Sequence, residues 1–162
     1  MSLTIGFSDA ICIDMALFLS NFENKMDSKG RISVPAGFRA ALNAEQFAGV
    51  VLYRSFTNKC IEGLAMSRME KMANATDQMG VFDQELDDLS AMLFADARAL
   101  QFDSAGRIML PTDLAEHAGI KDNAIFVGRG NSFQIWEPNA FKQAQKKSLE
   151  SLRSTRPNLK LN

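Results

Sequence analysis

Asp27-Ser28-Lys29-Gly30-Arg31-Ile32-Ser33-Val34-Pro35 returns 76 residues later as Asp103-Ser104-Ala105-Gly106-Arg107-Ile108-Met109-Leu110-Pro111, with six of the nine positions identical. The two copies divide the 162-residue chain into similar halves. Aspartate in the first place and glycine in the fourth suit a four-residue turn, because aspartate bonds to its own turn backbone and glycine tolerates the conformation at the turn's end. Each copy therefore reads as a hairpin tip. Phe22 and Met26 before the first tip, and Ile32 and Val34 after it, alternate with polar residues like strands half-buried against a core. Leu100, Phe102, Ile108 and Leu110 do the same around the second tip. What faces outward is basic: Lys29 and Arg31 in one tip, Arg107 in the other.

A short helix is expected directly after each copy. Pro35 and Pro111 stand where a helix starts and a missing N–H costs nothing, so residues 36–42 and 111–118 are read as helical, the second stopped by Gly119. Residues 124–127 and 132–136 read as strands joined through Gly128-Arg129-Gly130-Asn131. Residues 50–53 and a strand at Cys60 and Ile61 are their first-half equivalents. Each half closes with a longer helix. In the first, Ser67 and Glu70 form a capping box over a Met66, Met69, Met72 stripe that reads as core filler; in the second, Asn139 caps a helix carrying Phe141, Ala144 and Leu149. A further helix, over about residues 84–97, has Leu86, Leu89, Met92 and Leu93 at helical spacing. The chain is accordingly read as an N-terminal extension (1–16), a first repeat (17–76), an acidic linker helix (77–98), a second repeat (99–150) and a basic C-terminal tail (151–162). The expected class is α+β with a mainly β core.

An apolar content of 46% suffices for a packed core. No apolar run reaches the ~18 residues of a membrane span, and residues 1–15 lack the Lys or Arg of a secretory leader, so a cytoplasmic location is expected. Cys12 and Cys60 with one histidine, His117, cannot supply a zinc site of the usual spacing; free thiols and no metal are the expectation. Asp83, Glu85, Asp87 and Asp88 lack the glycine and spacing of a calcium loop. The net charge of −1 conceals an uneven distribution. Residues 16–59 carry six basic groups against three acids, as a nucleic-acid surface requires. Residues 77–97 hold six acids and no base, and should face away from phosphate; residues 142–162 hold six bases against Glu150, read as a solvated helix face and tail.

The run Met26-Asp27-Ser28-Lys29-Gly30-Arg31-Ile32-Ser33-Val34-Pro35-Ala36-Gly37-Phe38-Arg39, its degenerate second copy, and Val127-Gly128-Arg129-Gly130-Asn131-Ser132-Phe133-Gln134-Ile135-Trp136-Glu137-Pro138 closely resemble the bacterial MraZ family over roughly residues 17–150. The resemblance implies two AbrB-like halves interlocked as a swapped-hairpin, double-psi-like barrel with flanking helices, and subunits assembled into a homo-oligomeric ring of octamer size or larger. It implies a DNA-binding transcriptional regulator acting on repeated boxes in the promoter of its own division and cell-wall operon, associated with the nucleoid. Double-stranded DNA is then the partner, with no cofactor, small-molecule substrate or membrane. The family's DNA-contacting motif, Asp-x-x-x-Arg, maps onto Asp27 with Arg31 and Asp103 with Arg107, Lys29 lying between the first pair; Gly30 and Gly106 shape the turns. Three departures stand out. Ala105 replaces the basic residue of the first tip, Gly63-Leu64-Ala65 stands where members carry an aromatic residue and proline, and residues 1–15 extend beyond the usual start.

Elementary chemistry supports the same assignment. An arginine at a tip can make a two-pronged contact with guanine or phosphate, and a β-ribbon fits the major groove. The aspartate has a structural part: it accepts bonds from the turn backbone or holds the arginine in line. With Ala105 beside it, Arg107 is expected to be spent in a structural ion pair with Asp103, leaving DNA binding chiefly to Lys29 and Arg31. A catalytic reading fares poorly, because no nucleophile motif accompanies His117 and no glycine-rich phosphate loop opens a long helix. The remaining rival is a ring-forming scaffold that docks partners through the acidic helix or basic tail.

Overall fold

Each half repeats one order of elements, strand, strand, short helix, strand, strand, longer helix, in a computed structural model that describes residues 17–43, 45–79 and 83–155. The first half contains β1 (Asn21–Lys25), β2 (Arg31–Ser33), α1 (Ala36–Leu42), β3 (Gly49–Arg54), β4 (Ile61–Leu64) and α2 (Met66–Gln78). The acidic helix α3 (Gln84–Asp96) follows, then β5 (Arg98–Gln101), β6 (Arg107–Met109), α4 (Thr112–Ala118), β7 (Asn123–Gly128), β8 (Phe133–Trp136) and α5 (Pro138–Thr155). Cys12, the N-terminal extension and the end of the basic tail lie outside the described residues.

The halves exchange strands. Beyond a single bridge between Met26 and Ile32, the arms of the first tip do not form the local hairpin expected from the sequence. β1 runs antiparallel to β7 of the other half, with Phe22 opposite Phe126, and β5 runs antiparallel to β3, with Leu100 opposite Val50. β2 pairs with β6, setting Ile32 opposite Ile108. The exchange puts both isoleucines, each at most 1% exposed, into one shared core. It also pairs backbone groups reciprocally: Val34 N–H donates to the Gly106 carbonyl at 3.1 Å, and Leu110 N–H to the Gly30 carbonyl at 2.9 Å. The outcome is an α+β fold with a six-stranded antiparallel sheet, ordered β1-β7-β8-β4-β3-β5, and the separate β2–β6 ribbon. This is the swapped-hairpin arrangement, with β4 and β8 paired at its centre.

Phe38 of α1 anchors the main core, its ring centroid 5.3 Å from Phe18, 5.2 Å from Phe133, 5.6 Å from Phe22 and 6.3 Å from Phe126. Gly63 makes room for Phe133: a methyl carbon on it would lie 2.4 Å from that ring. The departure at residues 63–65 thus leaves β4 intact through Leu64. In a second cluster Met69 is buried with Val51, Leu64 and Leu93, while Met66 and Met72 pack against them. The methionine stripe is core, and α3 docks through Leu93.

Two helix starts differ from expectation. Ser67 lies inside the first turn of α2, and its N–H and hydroxyl donate to the Glu45 carboxylate at 3.2 and 2.6 Å, so the start is tied to a residue 22 positions earlier and not by a box with Glu70. α5 begins at Pro138, a favoured first helical residue. The capping oxygens are therefore those of Glu137, which accept from the N–H groups of Asn139 and Ala140 at 3.0 and 2.8 Å, and Asn139 falls within the helix.

Candidate nucleic-acid interface

Both tips are closed by the same bonds. The Asp27 carbonyl accepts from Gly30 N–H at 3.0 Å, and Asp27 N–H donates to the Arg31 carbonyl at 2.9 Å; Asp103, Gly106 and Arg107 repeat these contacts at 3.0 and 2.9 Å. The chain leaves each turn through the left-handed region, at φ +82° for Gly30 and +73° for Gly106, where glycine carries no Cβ penalty. Asp27 Oδ1 accepts from the N–H groups of Lys29 and Arg31 at 3.0 and 2.8 Å, while Oδ2 accepts from Arg31 Nε–H at 2.7 Å. Asp103 Oδ1 likewise accepts from Ala105 and Arg107 N–H, both at 2.9 Å, and its Oδ2 from Arg107 Nε–H at 2.8 Å. The aspartate thus builds the turn and aims the arginine at once. The N–H of Arg31, above all, holds the Asp27 carboxyl below the usual aspartate range, and Arg107 N–H does the same for Asp103.

The ion pair expected of Arg107 is present, but it does not set Arg107 apart, because Arg31 makes the same pair with Asp27. Arg31 and Arg107 make equivalent ion pairs, 2.7 and 2.8 Å long, with side chains 32% and 33% exposed. The reason is local: the carboxylate's partners are turn N–H groups and the arginine four residues on, none of which depends on the side chain at 29 or 105.

The register of β2 with β6 unites the tips. Arg31 stands opposite Met109, Ile32 opposite Ile108 and Ser33 opposite Arg107. Because alternate residues point to opposite faces and both isoleucines enter the core, Arg31, Ser33, Arg107 and Met109 share the outer face. Arg31 and Arg107 are diagonal neighbours, a relation that spans about 7–8 Å. Among the described residues, the Nη groups of neither arginine have a hydrogen-bond partner. Beside the first tip a groove is lined by Lys25, Lys29, Met109 and Lys121. Lys121, at the end of the second half's short-helix region, and Arg39 of α1 reach the tips only through the strand exchange; Arg39 counts among the basic residues of 16–59, but nothing in its local sequence places it at the second tip.

The rival chemistry finds little support. His117 Nε2 is buried without a hydrogen-bond partner among the described residues. It lines a pocket with Arg54, Asp96 and Arg98, whose carboxylate is already bonded to Arg54 at 2.8 and 2.9 Å. Asp113 is bonded to Arg98 at 2.7 Å. Burial pushes the Cys60 thiol up to about 12, far from a reactive thiolate at neutral pH. Among the described residues no helix is long and apolar enough to cross a membrane.

A family model described as "MraZ protein, putative antitoxin-like" matches residues 17–88 and 93–161. The chain belongs to the MraZ family. Two MraZ matches accord with the two halves that interlock here. Among curated relatives, the protein named Transcriptional regulator MraZ of Pelagibacter ubique is 42% identical over 144 residues, covering 89% of this chain and 93% of the relative. The protein of the same name from Rickettsia canadensis is 44% identical over 129 residues, covering 80% of this chain and 87% of its own length. Its counterpart in Rickettsia bellii is 43% identical over 129 residues, covering 79% and 86%.

Proposed function

We propose that this chain is a sequence-specific DNA-binding transcriptional regulator that engages duplex DNA with the β2–β6 ribbon. The observation that carries the reading is the ribbon's register, which puts two aspartate-aimed arginines on one outward face. Relatives more than 40% identical are named transcriptional regulators, which supports the class. In each tip the carboxylate is engaged inward, one oxygen by turn N–H groups and the other by the arginine Nε. The two Nη groups remain for a fork-like contact with guanine O6 and N7 or with a phosphate. Lys29, exposed at the first tip, adds a phosphate contact.

The family resemblance supplies the rest of the proposal. Subunits form a homo-oligomeric ring of octamer size or larger, which presents several ribbons to repeated boxes in the promoter of the chain's own division and cell-wall operon, at the nucleoid. Linking weak sites in this way raises affinity by ~10²–10⁴ over a single site. The units that fold and assemble are the first repeat, the acidic linker helix and the second repeat, and no catalysis or cofactor is assigned to them. The test is titration of the duplex upstream of the chain's own gene with the parent, Arg31→Ala and Arg107→Ala. Each variant is expected to lose at least about fivefold in affinity, from ~1–3 kcal/mol per contact, with circular dichroism and light-scattering mass unchanged. Parent affinity in both variants would remove the ribbon from the interface, and a monomeric mass would dismiss the ring.

A further inference from the structure

We propose that Arg39 contacts DNA as the second cation of the second tip; this rests on the reading that the ribbon binds DNA. In sequence the second tip is one positive charge poorer than the first, because Ala105 stands where the first has Lys29. The strand exchange restores that charge from the other half. Helix α1 carries Arg39 across the second tip, where its guanidinium covers Gly106: a methyl carbon on Gly106 would lie 2.4 Å from Nη1 and 2.7 Å from Cδ and Cζ. Gly106 is buried in consequence, whereas Gly30, with nothing nearer than 3.7 Å to the same point, is half-buried.

Arg39 is anchored by one bond, from Nε–H to the Val34 carbonyl at 3.1 Å. Val34 is also the residue whose N–H holds Gly106, so anchor and tip form one unit. Arg31, Arg54, Arg98 and Arg107 all pair with carboxylates, whereas among the described residues Arg39 has none. Its side chain is half-buried, and its Nη groups have no hydrogen-bond partner among the described residues. A guanidinium fixed through Nε, unneutralised and beside a turn already presenting Arg107, is suited to an external phosphate. The position equivalent to Arg39 in the second half is Ala115, which offers the first tip no charge; there Lys29 supplies it. Arg39 with Arg107 at the second turn thus matches Lys29 with Arg31 at the first, beside which Lys25 and Lys121 also line the groove.

Counterion release provides the test. Binding constants of the full chain are measured against salt for the duplex upstream of its own gene and for a scrambled duplex of equal length. Arg39→Gln is expected to flatten the log–log slope by about 0.9 per engaged subunit on both duplexes, as Lys29→Gln does. Adding Ala105→Lys to Arg39→Gln is expected to restore the slope, because it returns a charge to the tip without replacing the bond to Val34. In the parent complex, arginine footprinting with p-hydroxyphenylglyoxal is expected to find Arg39 protected by DNA, a readout that does not depend on any variant folding. An unprotected Arg39, a parent slope in Arg39→Gln while Lys29→Gln is flattened, or a loss that Ala105→Lys does not repair would overturn the proposal and leave the ribbon reading standing. Undiminished binding in Lys29→Gln, Arg31→Ala and Arg107→Ala would overturn the ribbon reading and this proposal together.

Discussion

Alanine at Gly30 and at Gly106 should destabilise the protein unequally, although the two turns are conformationally alike. Both glycines lie in the left-handed region, at φ +82° and +73°, where an L side chain costs ~1–2 kcal/mol. At Gly30 that is the whole cost, since the new methyl has nothing nearer than 3.7 Å. At Gly106 the methyl would stand 2.4 Å from Arg39 Nη1, so the guanidinium must withdraw. Withdrawal breaks its 3.1 Å bond to the Val34 carbonyl, adding about 1 kcal/mol, the net worth of a typical hydrogen bond. The expectation is ~1–2 kcal/mol for Gly30→Ala and ~2–3 kcal/mol for Gly106→Ala. Urea unfolding at one fixed protomer concentration measures both, since assembly would make stability concentration-dependent. Repeating the pair in Arg39→Ala closes a double-mutant cycle, in which the excess at Gly106 should vanish. Equal costs in the parent, or an excess that survives removal of Arg39, would refute the reasoning.

Three further outcomes follow from the same geometry. Asp27, Asp103 and Asp113 all have folded-state carboxyls below the usual range, the first two through arginine N–H groups and the third through the Arg98 side chain, so their contribution is complete above the unfolded aspartate value of ~3.9 and is lost as pH falls through the lowered folded values. Urea midpoints should hold level down to about pH 5 and drop below about pH 4, less steeply in Asp27→Asn/Asp103→Asn; a drop centred nearer neutrality would contradict this. Phe38→Ala should cost ~3–5 kcal/mol, because it empties the centre of the aromatic cluster, and denaturant unfolding followed by Trp136 fluorescence measures the loss. Cys60 should resist iodoacetamide in the native protein at neutral pH and react once urea unfolds it, as read by the mass of its tryptic peptide; rapid native labelling would show that the thiol is less buried than described.

Much of the fold was legible in the sequence because its signals are short-range. Aspartate and glycine three residues apart define a turn within four residues, and Pro35 and Pro111 mark helix starts from backbone chemistry alone. The alternation around Ile32 and Ile108 marks strands for the same reason. The tip residues of the candidate interface were likewise readable: Asp27 and Arg31 are four residues apart, and the turn that joins them builds their contact. Helix starts whose partners are distant or displaced were misread, as with Glu45 reaching Ser67 and Glu137 in place of Asn139.

What the sequence left open was pairing between the halves. A strand's pattern says which side faces a core but not whose core, so β1 with β7 and β2 with β6 followed only from the packing that buries both isoleucines together. That choice set Arg31 and Arg107 on one face and carried Arg39 over Gly106, relations between residues 67 to 76 positions apart. Turn, cap and periodicity are properties of neighbours along the chain. Which cations share a surface depends on contacts formed across it, and only the closed tertiary structure decides that.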